Sequence, residues 1–183
     1  MDSLQFYFSH PTSIVIAGPS RSGKTCFVFN CLKSSLIQPF PSRIIWFYKE
    51  WQPIYDKLKK LFRLLNLHRE LIKGILAQVK AYERNLVVLD DLMSSAGDSK
   101  QIAQLFTQDA HHGNLTVIFI VQNLFYQGKE MRTINLNAHY IILYKTHEIN
   151  RKFVIWHTRF SLKIQNFSPK FRSIRFRIHT HIL

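Results

Sequence analysis

The residues best suited to chemistry lie near the start of the chain, in the run Gly18-Pro19-Ser20-Arg21-Ser22-Gly23-Lys24-Thr25. It satisfies every fixed position of the pattern G-x-x-x-x-G-K-[ST]. Such a run builds a receptacle for a polyphosphate: small residues let successive backbone N–H groups turn inward, and a helix starting at the end of the loop adds favourable partial charge. All of these residues, Gly18, Pro19, Ser20, Arg21, Ser22, Gly23, Lys24 and Thr25, are therefore candidates for contact with ATP. Lys24 is the residue to reach the β- and γ-phosphates, and the Thr25 hydroxyl is a candidate Mg²⁺ ligand.

Two further polar groups follow apolar runs. Leu86–Leu89 ends in Asp90-Asp91, and an acid delivered at the C-terminal edge of a strand is where a phosphate-loop enzyme needs its Mg²⁺ partner. Asp90 is the candidate Mg²⁺ carboxylate, acting through water, and Asp91 the candidate base for water attacking the γ-phosphate. The competing reading is a helix N-cap pair. Leu115–Val121 runs into Gln122-Asn123, where an amide could report on the γ-phosphate or simply form a turn.

The elements that must position these groups read as an alternation. Ser13–Ala17 is a short β-branched run suited to a buried strand. A helix should start inside the glycine loop, pass through Cys26, Val28, Cys31 and Leu32, and stop at Ser34 and Ser35 before Pro39 and Pro41. Arg43–Tyr48 reads as a strand, about Pro53 to Phe62 as a helix, Asn85–Leu89 as a strand, Lys100–Ala110 as a helix, and Leu115–Val121 and His139–Tyr144 as strands. Strands alternating with helices predict an α/β domain with a mostly parallel sheet covered on both faces. Neither an internal repeat nor a low-complexity segment stands out.

The chain has 183 residues, enough for one α/β domain and too few for two of ordinary size. No apolar stretch is long enough to cross a membrane, and residues 1–10 lack the pattern of a secretory leader, so a cytoplasmic or nuclear location is expected. Cys26 and Cys31 are expected to be reduced core thiols. Against 11 acids stand 25 Lys and Arg, a net charge of +14 that favours an acidic partner such as nucleic acid. About half of the excess lies after Thr146, where eight basic residues face only Glu148.

The strings FSHPTSIVIAGPSRSGKT, RIIWFYKEWQPIYDKL, NLVVLDDLM, LFTQDAHHGNLTVIFIVQNLF and QGKEMRTINLNAHYIILYK together resemble, in this order, the DNA-packaging ATPases of the FtsK/HerA-like P-loop branch, those of poxvirus-like viruses, adintoviruses and Polinton (Maverick) elements. The likeness spans roughly Gln5 to Lys145 and is weak near residues 62–84. It implies a RecA-like core in which the Gln122 strand separates the P-loop strand from the Asp90 strand. It also implies ATP-driven translocation of double-stranded DNA by a homo-oligomeric ring, with capsid or portal partners and a virion-associated location. By the same resemblance Lys24 and Thr25 match the Walker A pair, Asp90 and Asp91 the Walker B acids, and Gln122 the sensor. Arg132 falls in an arginine-bearing MR-x-I-x-LN segment and is a candidate to act in trans on a neighbour's nucleotide, against the reading of a surface or phosphate-contacting Arg. His111 and His112 read as a polar pair at a helix C-terminus rather than metal ligands, because no third ligand follows at sensible spacing. Trp46, Trp51 and Tyr55 read as core and interface residues.

Residues 1–145 thus form the expected ATPase domain, and 146–183 an atypical basic tail. There the family pattern stops and the helix period is lost. Read two bases into the Thr146 codon, the bases spanning Thr146 to Ile149 permit Pro-Arg-Asp, the triplet that the family places at this point, so the tail is expected to be frameshifted. An inactive remnant of an integrated packaging ATPase is the alternative to a working motor. A P-loop kinase is a further alternative, disfavoured because no arginine-rich lid is evident.

Overall fold

The computed structural model describes residues 6–69, 79–80, 82–92, 96–109, 114–124, 129–144, 152–157 and 175–177. Its strands are β1 (Phe8–Ser9), β2 (Ser13–Ala17), β3 (Ile37–Gln38), β4 (Arg43–Tyr48), β5 (Leu65–His68), β6 (Asn85–Asp90), β7 (Leu115–Val121), β8 (Tyr140–Tyr144), β9 (Lys152–His157) and β10 (Arg175–Arg177). The helices are α1 (Lys24–Lys33), α2 (Ile54–Leu61), α3 (Ala96–Gln104), continued by a π-helical turn over Leu105–Asp109, and α4 (Lys129–Asn137).

One eight-stranded sheet carries the fold, in the order β10-β9-β8-β2-β7-β6-β4-β5. Every pairing from β5 to β8 is parallel, whereas β8 and β9 run antiparallel. The expected α/β fold with a mostly parallel sheet is therefore present, and β7 separates β2 from β6 as the resemblance implies. A parallel sheet buried on both sides needs apolar residues on both faces of its strands, and the alternation of side chains sorts them. Ile14, Ile16, Ile44, Trp46, Leu86, Val88, Ile118 and Ile120 pack with Phe27, Val28, Cys31 and Leu32 of α1 and with Tyr55 and Leu58 of α2. Val15, Ile45, Phe47, Val87, Leu89, Val117 and Phe119 pack on the opposite face with Ile102, Leu105, Phe106, Met131 and Ile134.

Several boundaries differ from expectation. The helix expected over Lys100–Ala110 begins earlier, at Ala96, and passes into the π turn at Leu105. Helix α4, strand β5 and the short β1–β3 ladder are additional to the elements that the sequence pattern marks. Cys26 is exposed while Cys31 is buried: residues five apart on a helix are turned about 140° from each other, so one core-facing stripe cannot hold both. Past Lys145, β9 extends the sheet from β8 and β10 pairs with β9. The remaining tail residues, like His111 and His112, lie outside the described residues.

At the N-terminal edge of the sheet, polar contacts fasten the entry to β2. His10 is buried, its Nδ1 lies 2.7 Å from Thr116 Oγ1 and its Nε2 2.9 Å from Asn114 Oδ1. The Thr12 N–H donates to the same Thr116 hydroxyl at 3.2 Å. Burial holds the His10 imidazole below its ordinary value, the Asn114 contact opposes this, and the positive charge of Arg84 adds to it. A base with a lowered folded-state pKa costs stability as pH falls from its ordinary value, near 6.5, down through the folded value. His10→Ala is expected to destabilise the protein by about 1–3 kcal/mol at pH 7.5, since Asn114 loses its partner. Urea unfolding should also show a shallower loss of stability below pH 6.5 in the variant than in the parent; an equal slope would remove His10 as the titrating group.

Candidate nucleotide site

Strand register brings the chemical residues to one edge. Ala17 pairs with Val121, and Ile120 with Asp90, so Gly18, Gln122 and Asp91 leave the sheet within a residue of one another. The Gly18 N–H donates to Val121 O at 3.2 Å and the Asp91 N–H to Ile120 O at 3.1 Å, which fixes both exits to β7. On its other side Gly18 is pressed against β8: a Cβ at this position would lie 2.5 Å from Tyr144 Cβ, so no side chain fits.

The loop then turns into α1. Gly23, at φ 94, is in the left-handed region that favours glycine, and it caps the helix without a side-chain hydrogen bond. No acid stands in the first turn of α1, so the positive end of the helix dipole and its unpaired N–H groups face the loop. Ser22 Oγ is buried and finds no hydrogen-bond partner among the described residues. Lys24 is only 8% exposed and donates from Nζ to the carbonyls of Gly18 and Pro19. Burial lowers its ammonium from the ordinary value, while the charges of Asp90 and Asp91 work the other way.

Across the loop, Asp90 is 4% exposed at the end of β6. Its Oδ2 accepts from Thr25 Oγ1 at 3.0 Å and from the Tyr55 hydroxyl at 2.9 Å. Burial drives the Asp90 carboxyl above its ordinary value; the two donors pull it back, Asp91 pushes it up again, and Lys24 draws it down. Asp91, by contrast, is exposed, and its φ of 59 turns it out of the strand. The Gln122 amide reaches it from the neighbouring strand end, Nε2 donating to Asp91 Oδ2 at 2.7 Å.

Lys24, Thr25, Asp90, Asp91 and Gln122 are thus gathered at one sheet edge. Pro19, Ser20 and Arg21 lie in the loop itself, Ser20 and Arg21 exposed. Arg132 is not part of the cluster: it is exposed on α4, beside the core-facing Met131, and no hydrogen bond or ion pair joins it to those five residues. Tyr55, expected only as a packing residue, proves to be a partner of the buried acid. The signal for it in the sequence is a tyrosine, rather than a phenylalanine, on the apolar stripe of a short helix that follows β4.

The residues present fit a magnesium nucleotide. The cradle is backbone-lined, closed to a Cβ at Gly18 and holds at Ser22 a hydroxyl without a partner among the described residues; a lysine, a threonine hydroxyl and a buried carboxylate converge on it. A phosphate loop of this build on a parallel sheet ordered with β7 between β2 and β6 defines a RecA-like P-loop NTPase fold. Solved structures agree on that fold. The chain is similar to the genome-packaging NTPase of Sulfolobus turreted icosahedral virus 2, solved in complex with ATP-γ-S, at 17% identity over 77% of this chain and 78% of that one, with a TM-score of 0.50. It is similar to the cytoplasmic domain of EssC at 20% identity over 73% of its length but only 30% of that chain, with a TM-score of 0.53. A KaiC-like protein from Pyrococcus horikoshii OT3 gives 16% identity, coverage of 83% and 81%, and a TM-score of 0.57. No family model and no curated protein matches the sequence.

Asp90 gives a direct test of the charge burial. A carboxyl raised in the folded state stabilises below its ordinary value and loses that contribution as pH rises through the folded value. Asp90→Asn removes this loss and keeps an oxygen for Thr25 and Tyr55. In urea at pH 7.5 with EDTA and no nucleotide the variant is expected to unfold at a higher denaturant concentration than the parent, and, in separate samples without EDTA, to gain nothing from Mg-ATP beyond what ATP alone supplies. A variant less stable than the parent in EDTA would show that Asp90 is not a net burden.

Proposed function

We propose that this chain is an ATP-hydrolysing motor domain of the DNA-packaging type, translocating double-stranded DNA as part of a homo-oligomeric ring. The contact between Asp91 and Gln122, 2.7 Å long and set beside the Thr25–Asp90 pair, carries the reading. Transfer of a phosphoryl group to water needs a carboxylate able to accept the water's proton and a group that registers the γ-phosphate. Those two side chains lie on adjacent strand ends at the edge where the phosphate loop opens. Support for a nucleic-acid partner comes from the net charge of +14 and from the likeness in fold to a viral genome-packaging NTPase.

In this mechanism the backbone N–H groups of the loop beyond Pro19 hold the phosphates, and Lys24 reaches the β- and γ-phosphate oxygens. Thr25 and Asp90 are the residues to hold Mg²⁺, which supplies charge neutralisation at the phosphates. Asp91 takes the proton of the attacking water, and Gln122 senses whether the γ-phosphate is present. Arg132, exposed on α4, serves a neighbouring subunit's nucleotide.

Lys24→Ala is expected to lose most ATP affinity, because the phosphates lose the buried ammonium that faces them. Asp91→Asn should keep Mg-ATP affinity within a few fold and lose hydrolysis by about 10²-fold or more. Calorimetric binding and phosphate release measure the two separately; equal turnover by Asp91→Asn and the parent would sink the assignment of the base.

The ring makes a second demand. Hydrolysis per subunit is expected to rise with protein concentration and with added duplex DNA, and the DNA effect to weaken with salt as counterion release requires. Mixing Arg132→Ala with Lys24→Ala subunits should recover part of the activity that each lacks alone. A rate per subunit independent of concentration, with no recovery on mixing, would point to a monomeric enzyme.

A further inference from the structure

Asp90 Oδ2 accepts two hydrogen bonds, and only the Thr25 donor belongs to the phosphate loop. The other comes from Tyr55, at the start of α2 on a separate segment of the chain. Packing alone does not account for a phenol there. A buried hydroxyl costs free energy unless it is paired, and a phenylalanine would fill the same space without that cost. Pairing with Asp90 is what the hydroxyl does.

The ring cannot easily swing. Tyr55 is fully buried, with the Tyr48 ring at 4.9 Å, Trp51 at 5.4 Å and Trp46 at 5.9 Å. Tyr48 pairs with Asp90 in the β4–β6 register, so two rings of the cage, Trp46 and Tyr48, and the carboxylate stand on adjacent strands. A phenol is a proton donor near neutrality, and this one donates to Asp90 Oδ2 at 2.9 Å. A donor fixed by packing is what a metal-bearing carboxylate needs, because partners behind the ligand hold its orientation.

We propose that Tyr55 is a positioning residue that pins Asp90 Oδ2 and so sets the carboxylate to receive the magnesium of a magnesium nucleotide. It acts through Asp90 and touches neither nucleotide nor metal. The proposal rests on the reading of Asp90 as the Mg²⁺ carboxylate, and it makes α2 part of the site, which the loop and Walker B residues alone do not.

The test measures ATP affinity by calorimetry in EDTA and in Mg²⁺, together with the Mg²⁺ dependence of phosphate release. Tyr55→Phe is expected to bind ATP in EDTA within about twofold of the parent and to lose about tenfold of the gain that Mg²⁺ confers, the effect of one hydrogen bond to a charged group. The Mg²⁺ concentration for half-maximal rate should rise about tenfold, while the rate at saturating Mg²⁺ stays within about threefold. In an Asp90→Asn background, Tyr55→Phe should cause no further change in the Mg²⁺ response, because its partner is already gone. A parental Mg²⁺ response in Tyr55→Phe overturns the proposal alone, as does an equal loss of affinity with and without Mg²⁺, which would mark a packing role. A parent that gains nothing from Mg²⁺ would overturn the reading of Asp90 and this proposal together.

Discussion

Asp90 is a carboxylate only 4% exposed, and holding a charge there makes demands that the surrounding structure has to meet. Removing an ion from water costs several kcal/mol even after relaxation, while each hydrogen bond to a charged group returns about 1.5–3 kcal/mol. Thr25 and Tyr55 supply two such bonds. Desolvation nevertheless outweighs them, since the Asp90 carboxyl stays above its ordinary value. Lys24 is in the mirror position, its ammonium depressed by burial and only partly restored by Asp90 and Asp91. Both groups would gain from a ligand that brings anionic oxygens to one and a cation to the other. A metal–polyphosphate has that distribution of charge.

Meeting those demands requires three strand ends to coincide, and the parallel register across β2, β7 and β6 does this. A one-residue slip exchanges the faces of the strand that slips: in β2 it would send Ile14 and Ile16 to the side of Phe106 and Met131, and in β6 it would carry Asp90 away from Thr25. Two hydrophobic layers therefore hold the geometry of the site as much as they stabilise the fold. The N-terminal edge contributes the second anchor, through His10, Thr12 and Thr116, where β2 is fastened to β7 at the end opposite the phosphate loop.

These features were unequally legible in the sequence. The loop Gly18–Thr25, the strands Arg43–Tyr48 and Leu115–Val121 and the acids at Asp90-Asp91 could be read directly, because each is a local pattern: fixed spacing, or a β-branched run closed by a polar residue. What escaped depends on tertiary contacts. Strand β5, in Leu65–His68, has no fully buried residue and exists because it pairs with β4. Helix α4 buries only Met131 and Ile134 among its described side chains, too narrow a stripe to announce itself. Tyr55 is local in neither sense: its spacing to Leu58 marks an apolar stripe, but its hydroxyl partner lies 35 residues away. Hydrophobic periodicity locates a side chain's body and is silent about where its polar tip ends.

Asp91 and Gln122 bring a last consequence. A non-glycine residue with φ 59 is uncommon, although aspartate tolerates the left-handed region better than most. Two contacts hold it there: its own N–H to Ile120 O and its carboxylate to the Gln122 amide. The second is the weaker constraint, because both side chains are exposed and compete with water. On the proposed reading, a γ-phosphate offers the Gln122 amide another acceptor, and an amide that turns to it releases an Asp91 oxygen for water. Attack would then follow recognition of the triphosphate rather than precede it, because the same donor serves both. The backbone contact to Ile120 is made by a different group from the side-chain contact to Gln122, so that exchange does not require Asp91 to leave the strand end.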